Sequence, residues 1–497
     1  MSGLTRRGFL KYAGFTAAAG LLSSCTSMQQ AQRGRMNFLF ILVDDLGWMD
    51  VGCFGSSFYE TPNIDRLARE GMRFTDAYAA CPVCSPTRAS IMTGKYPARM
   101  DTTDWFGAPQ PDTAHRHWTG KKALLPARYS DRMALEEVTL AEALNGVGYK
   151  TFFAGKWHLG PSEEYWPEKQ GFDINKGGWR SGSPSRPGVY FVPYGNPRLE
   201  DGAEGEHLPD RLANETVKFI KANRNRPFLA YLSFYSVHTP LISRKDLKKK
   251  YAEKAKGLGI EDKWGQEGER KVRQIQNHAV YGGMVEAMDM AVGKVLAKLE
   301  ELGLARNTTV IFMSDNGGLS TKEGSPTSNL PLRAGKGWLY EGGIREPMMI
   351  KWPGLTKPKS ICSEPVISTD FYPTMLEIAG LEQKPMQHMD GMSLVPLLKG
   401  DKLERGAIYW HYPHYGNQGS SPGSAVREGE WKLIEWHEDG GVELYNLRDD
   451  IGEKKNLAEK YPEVKQRLYE MLKRWRKSVD AKMPSANPNC EDRSTKQ

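Results

Sequence analysis

The chain has 497 residues, of which 39% are hydrophobic and 26% are charged, and its formal net charge is +8. This length exceeds one typical hydrophobic core, so two domains are expected, and the composition is that of a globular protein. The basic residues are scattered rather than grouped in a stripe or a known reading motif, which argues against a nucleic-acid-binding protein. The excess of positive charge fits an anionic small substrate or polysaccharide at least as well.

The first 35 residues predict an export signal and a linker rather than part of the fold. Residues 5–11 (TRRGFLK) resemble a twin-arginine signal, and the apolar stretch after them is too short to span a bilayer permanently. Residues 22–25 (LSSC) resemble a lipobox, with Cys25 as the lipidated first residue of the mature protein. A signal peptide without lipidation is the alternative. Both interpretations place the protein in the periplasm or at the cell surface. The lipobox interpretation, which we favour, also gives it a lipid anchor as its membrane attachment.

Four near-continuous apolar runs predict strands that are buried on both faces, at residues 36–43, 149–154, 227–234 and 308–313. Helical patterns between them predict a mainly parallel central sheet flanked by helices, an α/β fold. Ligand sites of such sheets lie at the carboxyl ends of the strands. The polar residues that follow these four runs are, in chain order, Asp44 and Asp45, Lys156 and His158, His238, and Asp315 and Asn316.

Taken singly, these residues have ordinary explanations. An Asp-Asp pair after a strand is a common turn, and a histidine such as His158 is often a hydrogen-bonded structural residue. The prediction of a site therefore depends on several strand ends carrying such residues together.

Residues 84–95 (CSPTRASIMTGK) predict a helix with Ser85 as its N-cap and Pro86 at its first position. Cys84 would lie just outside the helix, near the positive end of the helix dipole, and Arg88 would follow on the same face. Because an arginine in a first turn opposes the dipole, we expect an anionic group to compensate it. The pattern indicates an electropositive anion site, and a buried structural cysteine at a helix start is the alternative.

The second half of the chain changes character after residue 383. Short strands at 407–410, 424–427, 431–436 and 442–445 predict a small antiparallel sheet, followed by a helix over 462–479. We therefore predict a catalytic domain over 36–385, a C-terminal subdomain over 386–483 and a loose tail over 484–497. Four further cysteines leave room for one disulfide whose pairing the sequence does not specify: Cys53, Cys81, Cys362 and Cys490.

The segment around Cys84 resembles the signature of the type I sulfatases of the alkaline phosphatase superfamily. The modification core of that family reads Cys-x-Pro-x-Arg, and Cys84, Pro86 and Arg88 fit it, with Thr87 where serine is more usual. The resemblance extends from about residue 36 into the carboxyl-terminal region. It implies an alkaline-phosphatase-like sulfatase fold and the oxidation of Cys84 to formylglycine by a separate maturation enzyme.

The resemblance also implies a metal ion. Asp44, Asp45, Asp315 and Asn316 match the metal ligands of the family, and the modified Cys84 and the substrate sulfate would complete the shell. Because these side chains offer oxygen ligands only, they favour a hard cation, calcium before magnesium.

The chemistry implied by the family gives each remaining polar residue a role. The aldehyde hydrates to a diol, one hydroxyl attacks sulfur, and Arg88 steadies the diol. Lys156 and Lys336 bind sulfate oxygens, where charge builds up in the transition state. His238 and Lys336 protonate the departing alcohol oxygen. His158 then takes the proton of the second hydroxyl, which expels sulfate.

We therefore predict a sulfatase of sulfated carbohydrates, with galactose and N-acetylgalactosamine sulfates as candidates. A phosphonate monoester or phosphodiester hydrolase of the same superfamily is the main alternative, and a catalytically dead glycan-binding relative is a third. Aromatic, basic and acidic residues of three loops offer sugar-binding groups, although single exposed aromatic residues are common on any surface. The predicted substrate residues are Asp104, Trp105, His115, Arg180 and His411.

Overall fold

The structure is a computed structural model that describes residues 35–184 and 188–490. The predicted export signal and Cys25 lie outside the described residues. Within those residues, no helix is both long enough and apolar enough to cross a membrane.

The described strands and helices follow in chain order. The strands are β1 (Asn37–Val43), β2 (Met72–Phe74), β3 (Ala77–Tyr78), β4 (Leu124–Leu125), β5 (Lys150–Gly155), β6 (Ile174–Lys176), β7 (Phe228–Ser233), β8 (Trp264–Glu267), β9 (Arg270–Arg273), β10 (Thr308–Ser314), β11 (Met348–Lys351), β12 (Ser360–Cys362), β13 (Val366–Ile367), β14 (Ile408–Tyr412), β15 (Gly423–Glu428), β16 (Trp431–Trp436), β17 (Val442–Asn446) and β18 (Ser485–Ala486). The α-helices are α1 (Pro62–Glu70), α2 (Cys84–Thr93), α3 (Leu140–Asn145), α4 (Leu208–Ala222), α5 (Lys245–Gly257), α6 (Ala279–Glu301), α7 (Glu341–Ile344), α8 (Phe371–Ile378), α9 (Val395–Lys399) and α10 (Pro462–Ser478).

The central sheet has eight strands in the order β12-β2-β11-β10-β1-β7-β5-β6 within the described chain. The run from β10 to β6 is parallel, whereas β11 is antiparallel to both of its neighbours. Strand β1 is buried along its whole length, which explains its unbroken apolar sequence. The predicted α/β fold with a mainly parallel sheet is confirmed.

Two hydrophobic layers cover the faces of the sheet. Alternate residues of β1 point to opposite sides, so that Phe40 packs in one layer and Ile41 in the other. The methionine stripe of α6, including Met284 and Met288, is buried in the second layer. That stripe is core packing, and the helix shields one face of the sheet from water.

The carboxyl-terminal part contains a second, antiparallel sheet of order β14-β15-β16-β17, as the turn pattern predicts. A buried charge cluster joins this sheet to the main part of the fold. Lys432 of β16 lies 2.9 Å from Glu341 of α7 and 2.8 Å from Glu453, and all three side chains are fully buried. The predicted boundary between residues 385 and 386 lies in the segment between α8 and α9.

Two local predictions need correction. Helix α2 begins at Cys84 with Val83 as its N-cap, so Ser85 is inside the helix and does not cap it. The tail is not loose throughout, because Ser485–Ala486 pairs with Leu124–Leu125. The sequence leaves room for one disulfide, and Cys53, Cys81 and Cys362 are free thiols within the described part of the chain.

Candidate active site

The predicted polar residues meet at one edge of the central sheet. The strands β10, β1, β7 and β5 are direct neighbours. The strand pairing puts their carboxyl ends at the same height in the sheet. Val43 pairs with Ser314, and both Leu42 and Gly155 pair with Ser233. The residues that follow these ends therefore converge, as expected for the carboxyl edge of a parallel sheet.

Three buried carboxylates at this edge each pair with a buried cation. The pairs are Lys156 with Asp44, Lys336 with Asp45 and Arg88 with Asp315, each at 2.7 Å. Buried charges are tolerated only when they are paired and hydrogen-bonded, and here the formal charges balance. The site is therefore a neutral assembly of strong charges held away from water.

Burial and pairing shift the pKa values in opposite directions. Burial raises the pKa of Asp44 well above its usual value, and Lys156 only partly offsets this. Burial also acts to raise the pKa of Asp45, but Lys336 and then His238 outweigh it and hold that pKa below its usual value. Burial opposes the charge of Lys336, yet Asp45 raises its pKa above the usual value. Lys336 therefore carries its proton.

The arrangement fits a hard cation. The Oδ1 atoms of Asp44 and Asn316 are buried and have no hydrogen-bond partner within the described part of the chain. The Nδ2 of Asn316 donates to Asp45 Oδ1 at 2.8 Å, which leaves the Asn316 oxygen free to bind a metal. Ligand atoms of Asp44, Asp45 and His238 also lie within 4.8 Å of one another. Free, buried oxygen donors of this kind suit calcium or magnesium better than a softer metal.

Helix α2 presents Cys84 to His158. The Cys84 Sγ lies 3.6 Å from His158 Nδ1, and the Ser85 hydroxyl lies 3.1 Å from the same nitrogen. The other ring nitrogen of His158 is 3.1 Å from the carbonyl oxygen of Phe106, which requires it to donate. Nδ1 then carries a lone pair toward residue 84. Burial, together with Lys156, lowers the pKa of His158 well below its usual value, so the ring is a neutral base.

Arg88 forms hydrogen bonds with residues at the ends of three strands. Its Nε donates to Asp315 Oδ2 at 2.8 Å, and its Nη1 donates to the Lys156 carbonyl and the Ser233 hydroxyl, both at 2.7 Å. Asp315 is thus the anionic group that compensates this arginine, as the sequence predicts. Ser233 was not predicted, although its position as the polar last residue of an apolar strand is the signal that marks it.

His238 lies beside Asp45, the carboxylate that also pairs with Lys336. Its Nδ1 donates to the Thr239 carbonyl at 2.7 Å, and its Nε2 is 3.7 Å from Asp45 Oδ2. Burial and then Lys336 lower the pKa of His238 to about 4. The ring is therefore neutral at pH 7, and Lys336 is the charged proton donor on this side.

A cavity of about 370 Å³ opens above Cys84, His158, His238 and Lys336. Its size is at the lower end of the ~300–1,000 Å³ range of small-ligand sites. Trp105 supplies part of an apolar wall, as predicted. The other lining residues are Val83, Phe106, Arg180, Gly182, Ser183, Thr239, Glu323, Asn417 and Gln418.

Two predicted substrate residues do not face this cavity, and their assignment is wrong. The Asp104 carboxylate is buried and accepts hydrogen bonds from the Trp105 backbone and the Tyr412 hydroxyl. His411 is buried in strand β14, where its ring contacts Ser424 and the carbonyl of Lys482. Their role is structural.

The remaining predicted substrate residues occupy different positions. His115 is exposed on a surface turn outside the cavity lining. Trp105 and Arg180 line the cavity, and Arg180 is exposed there with its guanidinium over the ring of Trp179. The residues that sequence reasoning missed are Ser183, Glu323 and Gln418, because they come from loops without a distinctive pattern.

Two family models match the chain. The model described as "Sulfatase" matches residues 36–381, and the model described as "N-sulphoglucosamine sulphohydrolase, C-terminal" matches residues 334–478. The chain therefore belongs to the sulfatase family and is a sulfuric ester hydrolase, which confirms the predicted family and enzyme class.

Individual relatives are similar over most of the chain. A sulfatase of Formosa agariphila is 31% identical, over 95% of this chain and 94% of its own. The canine N-acetylgalactosamine-6-sulfatase is 33% identical, over 76% of this chain and 68% of its own. The crystal structure of Ps i-CgsB in complex with k-i-k-neocarrahexaose is 30% identical and superposes with a TM-score of 0.73, over 91% of this chain and 94% of its own.

Proposed function

We propose that this sulfatase hydrolyses sulfate esters of sugars in an extracellular polysaccharide or glycan, with galactose and N-acetylgalactosamine sulfates as candidates. The observation that carries this proposal is the cavity that joins Cys84 and Lys336 to Trp105 and Arg180. An aromatic ring and polar groups beside a reaction centre suit a sugar ring attached to a sulfate. Two relatives support the proposal. One is the N-acetylgalactosamine-6-sulfatase, and the other is Ps i-CgsB, whose crystal structure was solved in complex with a neocarrahexaose.

The nucleophile in this proposal is formylglycine, made from Cys84 by a maturation enzyme. Burial raises the pKa of the Cys84 thiol, so the unmodified residue would carry little of the reactive thiolate at pH 7. The Cys84-x-Pro86-x-Arg88 core supports the modification. Twin-arginine export would agree with it, since that route carries folded protein that has already been modified.

The metal in this proposal is calcium, with magnesium as the weaker candidate. Asp44, Asp45, Asp315 and Asn316 would hold it, and the free buried oxygens of Asp44 and Asn316 support that assignment. When bound, such a cation supplies positive charge that stabilises the reacting sulfate group.

The side chains around residue 84 divide the proton transfers between two sides. His158 Nδ1 is a neutral acceptor beside residue 84 and serves as the base there. Lys336 is charged and serves as the acid for the departing sugar oxygen. His238 lies beside Asp45 on the same side and shares that task when protonated. Lys156 holds a sulfate oxygen, close to Asp44.

An assay panel tests the function. The panel contains galactose and N-acetylgalactosamine monosulfates, a phosphodiester and a phosphonate monoester. We expect the kcat/KM for the best sugar sulfate to be about 100-fold or more above that for either phosphorus ester. The measurement is initial rates with the metal-loaded enzyme and with Cys84→Ala as the inactive control. A wide preference for either phosphorus ester would establish the alternative hydrolase instead.

We also propose export by the twin-arginine route and lipidation at Cys25. Replacing Arg6 and Arg7 together by lysine is expected to keep the protein in the cytoplasm, because such signals are read as an address by a receptor. Cys25→Ala is expected to move the exported enzyme from the membrane fraction to the soluble fraction. Immunoblots of both fractions measure this, with Cys53→Ala as the control. Membrane association that survives Cys25→Ala would refute the lipobox.

A further inference from the structure

The outer wall of the cavity contains a carboxylate, Glu323, to which the proposed reaction assigns no role. Glu323 lies in the chain segment between Asp315 and Lys336, and it lines the cavity together with Lys336. Its φ of 56° is in the left-handed region, which is unfavourable for a residue with a β-carbon. Strained residues of this kind cluster at functional sites, and His158 here has the same conformation, with φ of 58°. The surrounding structure holds Glu323 in this position.

Two amides from the carboxyl-terminal part of the chain fix one oxygen of Glu323. Asn417 Nδ2 and Gln418 Nε2 donate to Oε1 at 2.9 and 3.1 Å. Gln418 is itself tightly packed, since a β-carbon on Gly337 would lie 2.5 Å from its Oε1. Across residues 35–184 and 188–490, both of these hydrogen bonds reach Oε1, and the other oxygen of Glu323, Oε2, accepts none. Glu323 is therefore an oriented acceptor with one oxygen free to bind a ligand.

Glu323 lines the same cavity as Lys336 and His238, the two residues that donate a proton in the proposed reaction. It is within electrostatic range of both Lys336 and His238. In the proposed reaction these two residues face the oxygen that leaves with the sugar. A sugar whose departing oxygen faces these two residues would therefore bring a neighbouring hydroxyl group toward Glu323.

We propose that Glu323 Oε2 accepts a hydrogen bond from the sugar hydroxyl nearest the sulfate-bearing carbon, and so selects substrates in which that hydroxyl is free. This inference rests on the proposed function and deepens it. A carboxylate suits a hydroxyl, which can donate to it, and rejects a second sulfate at the same place through like-charge repulsion. The enzyme would thus act on sugars without a neighbouring sulfate, or after another enzyme has removed it.

The test compares Glu323→Gln with the unchanged enzyme on two kinds of sulfate ester. On the best galactose or N-acetylgalactosamine monosulfate we expect kcat/KM to fall by about 10-fold or more, because a charged hydrogen bond becomes a neutral one. On 4-nitrophenyl sulfate, which has no ring hydroxyl, kcat/KM stays within a factor of about two, as for surface changes generally. The disulfated form of the same sugar becomes a better substrate relative to the monosulfate. The matched control is Glu382→Gln, which removes the same charge from an exposed residue outside the cavity and leaves all rates unchanged.

A deoxy analogue of the same monosulfate lacks the neighbouring hydroxyl. Measuring both enzymes on both substrates gives a double-mutant-type cycle for the contact between Glu323 and that hydroxyl. The unchanged enzyme should lose about 10-fold or more on this analogue, and Glu323→Gln should lose clearly less, because the contact that the analogue removes is already weakened in the variant. Equal losses on the sugar and on 4-nitrophenyl sulfate would overturn the inference, since Glu323 would then act on Lys336 rather than on the sugar. If the unchanged enzyme hydrolysed none of these sulfates, the proposed function would fall, and this inference with it.

Discussion

Replacing Cys84 with alanine is expected to lower kcat/KM on the best sugar sulfate by about 10⁴-fold or more, because the change removes the nucleophile. The fold should survive, because alanine fits the first position of α2. Circular dichroism and thermal unfolding check the fold beside the rate measurement. Mass spectrometry of the tryptic peptide should show an aldehyde in place of the thiol in active enzyme.

The matched control is Cys362→Ala, a second buried cysteine that belongs to the hydrophobic core outside the cavity. It should leave the specific activity of the folded enzyme unchanged. Active enzyme from the native host with an unmodified thiol at residue 84 would contradict the formylglycine assignment. Substantial activity in Cys84→Ala would contradict the choice of nucleophile.

Removing the metal is expected to have the second largest effect. Chelation should abolish activity, and calcium should restore it best, because the proposed ligands offer oxygen atoms only. Asp315→Asn should lower kcat/KM by about 10³-fold, since it weakens a metal ligand and removes the charge that pairs with Arg88. Titration of the apoenzyme with calcium, followed by calorimetry, would show a weaker affinity in the variant.

The control for that change is Asp210→Asn, an aspartate near the start of α4 that does not line the cavity. It removes the same charge and should leave calcium affinity and rate unchanged. Restoration by zinc but not by calcium would show that the metal is wrongly assigned. Full activity after exhaustive chelation would show that the reaction needs no metal.

The catalytic edge of the sheet could be predicted from the sequence because its determinants are local. The apolar run before Asp44 and the one before Asp315 each specify a strand buried on both faces. A parallel sheet brings the ends of such strands to one edge. Helix spacing puts Cys84 and Arg88 near each other, and their place beside the strand ends was implied by the resemblance to the type I sulfatases.

Local rules failed where a side chain has a stronger partner elsewhere. A serine before a proline, such as Ser85, is typical of an N-cap. Its hydroxyl instead contacts His158 and the Phe106 backbone, and the helix begins two residues earlier than predicted. Asp104 and His411 read as sugar ligands because they are polar and lie in loops or short strands. Their burial comes from elements distant in the chain, which no local pattern reveals.

The substrate side of the cavity was decided by the tertiary structure alone. Trp105, Arg180, Glu323 and Gln418 come from four separate segments that meet only after the carboxyl-terminal part packs on the central sheet. The pairing of Glu323 with Gln418 joins residues 95 positions apart, in loops whose sequences carry no periodic signal. Strand ends and helix spacing are short-range properties that one segment encodes by itself. Loop contacts are long-range properties that depend on how all segments pack, so the sequence determined the catalytic centre and the fold determined what surrounds it.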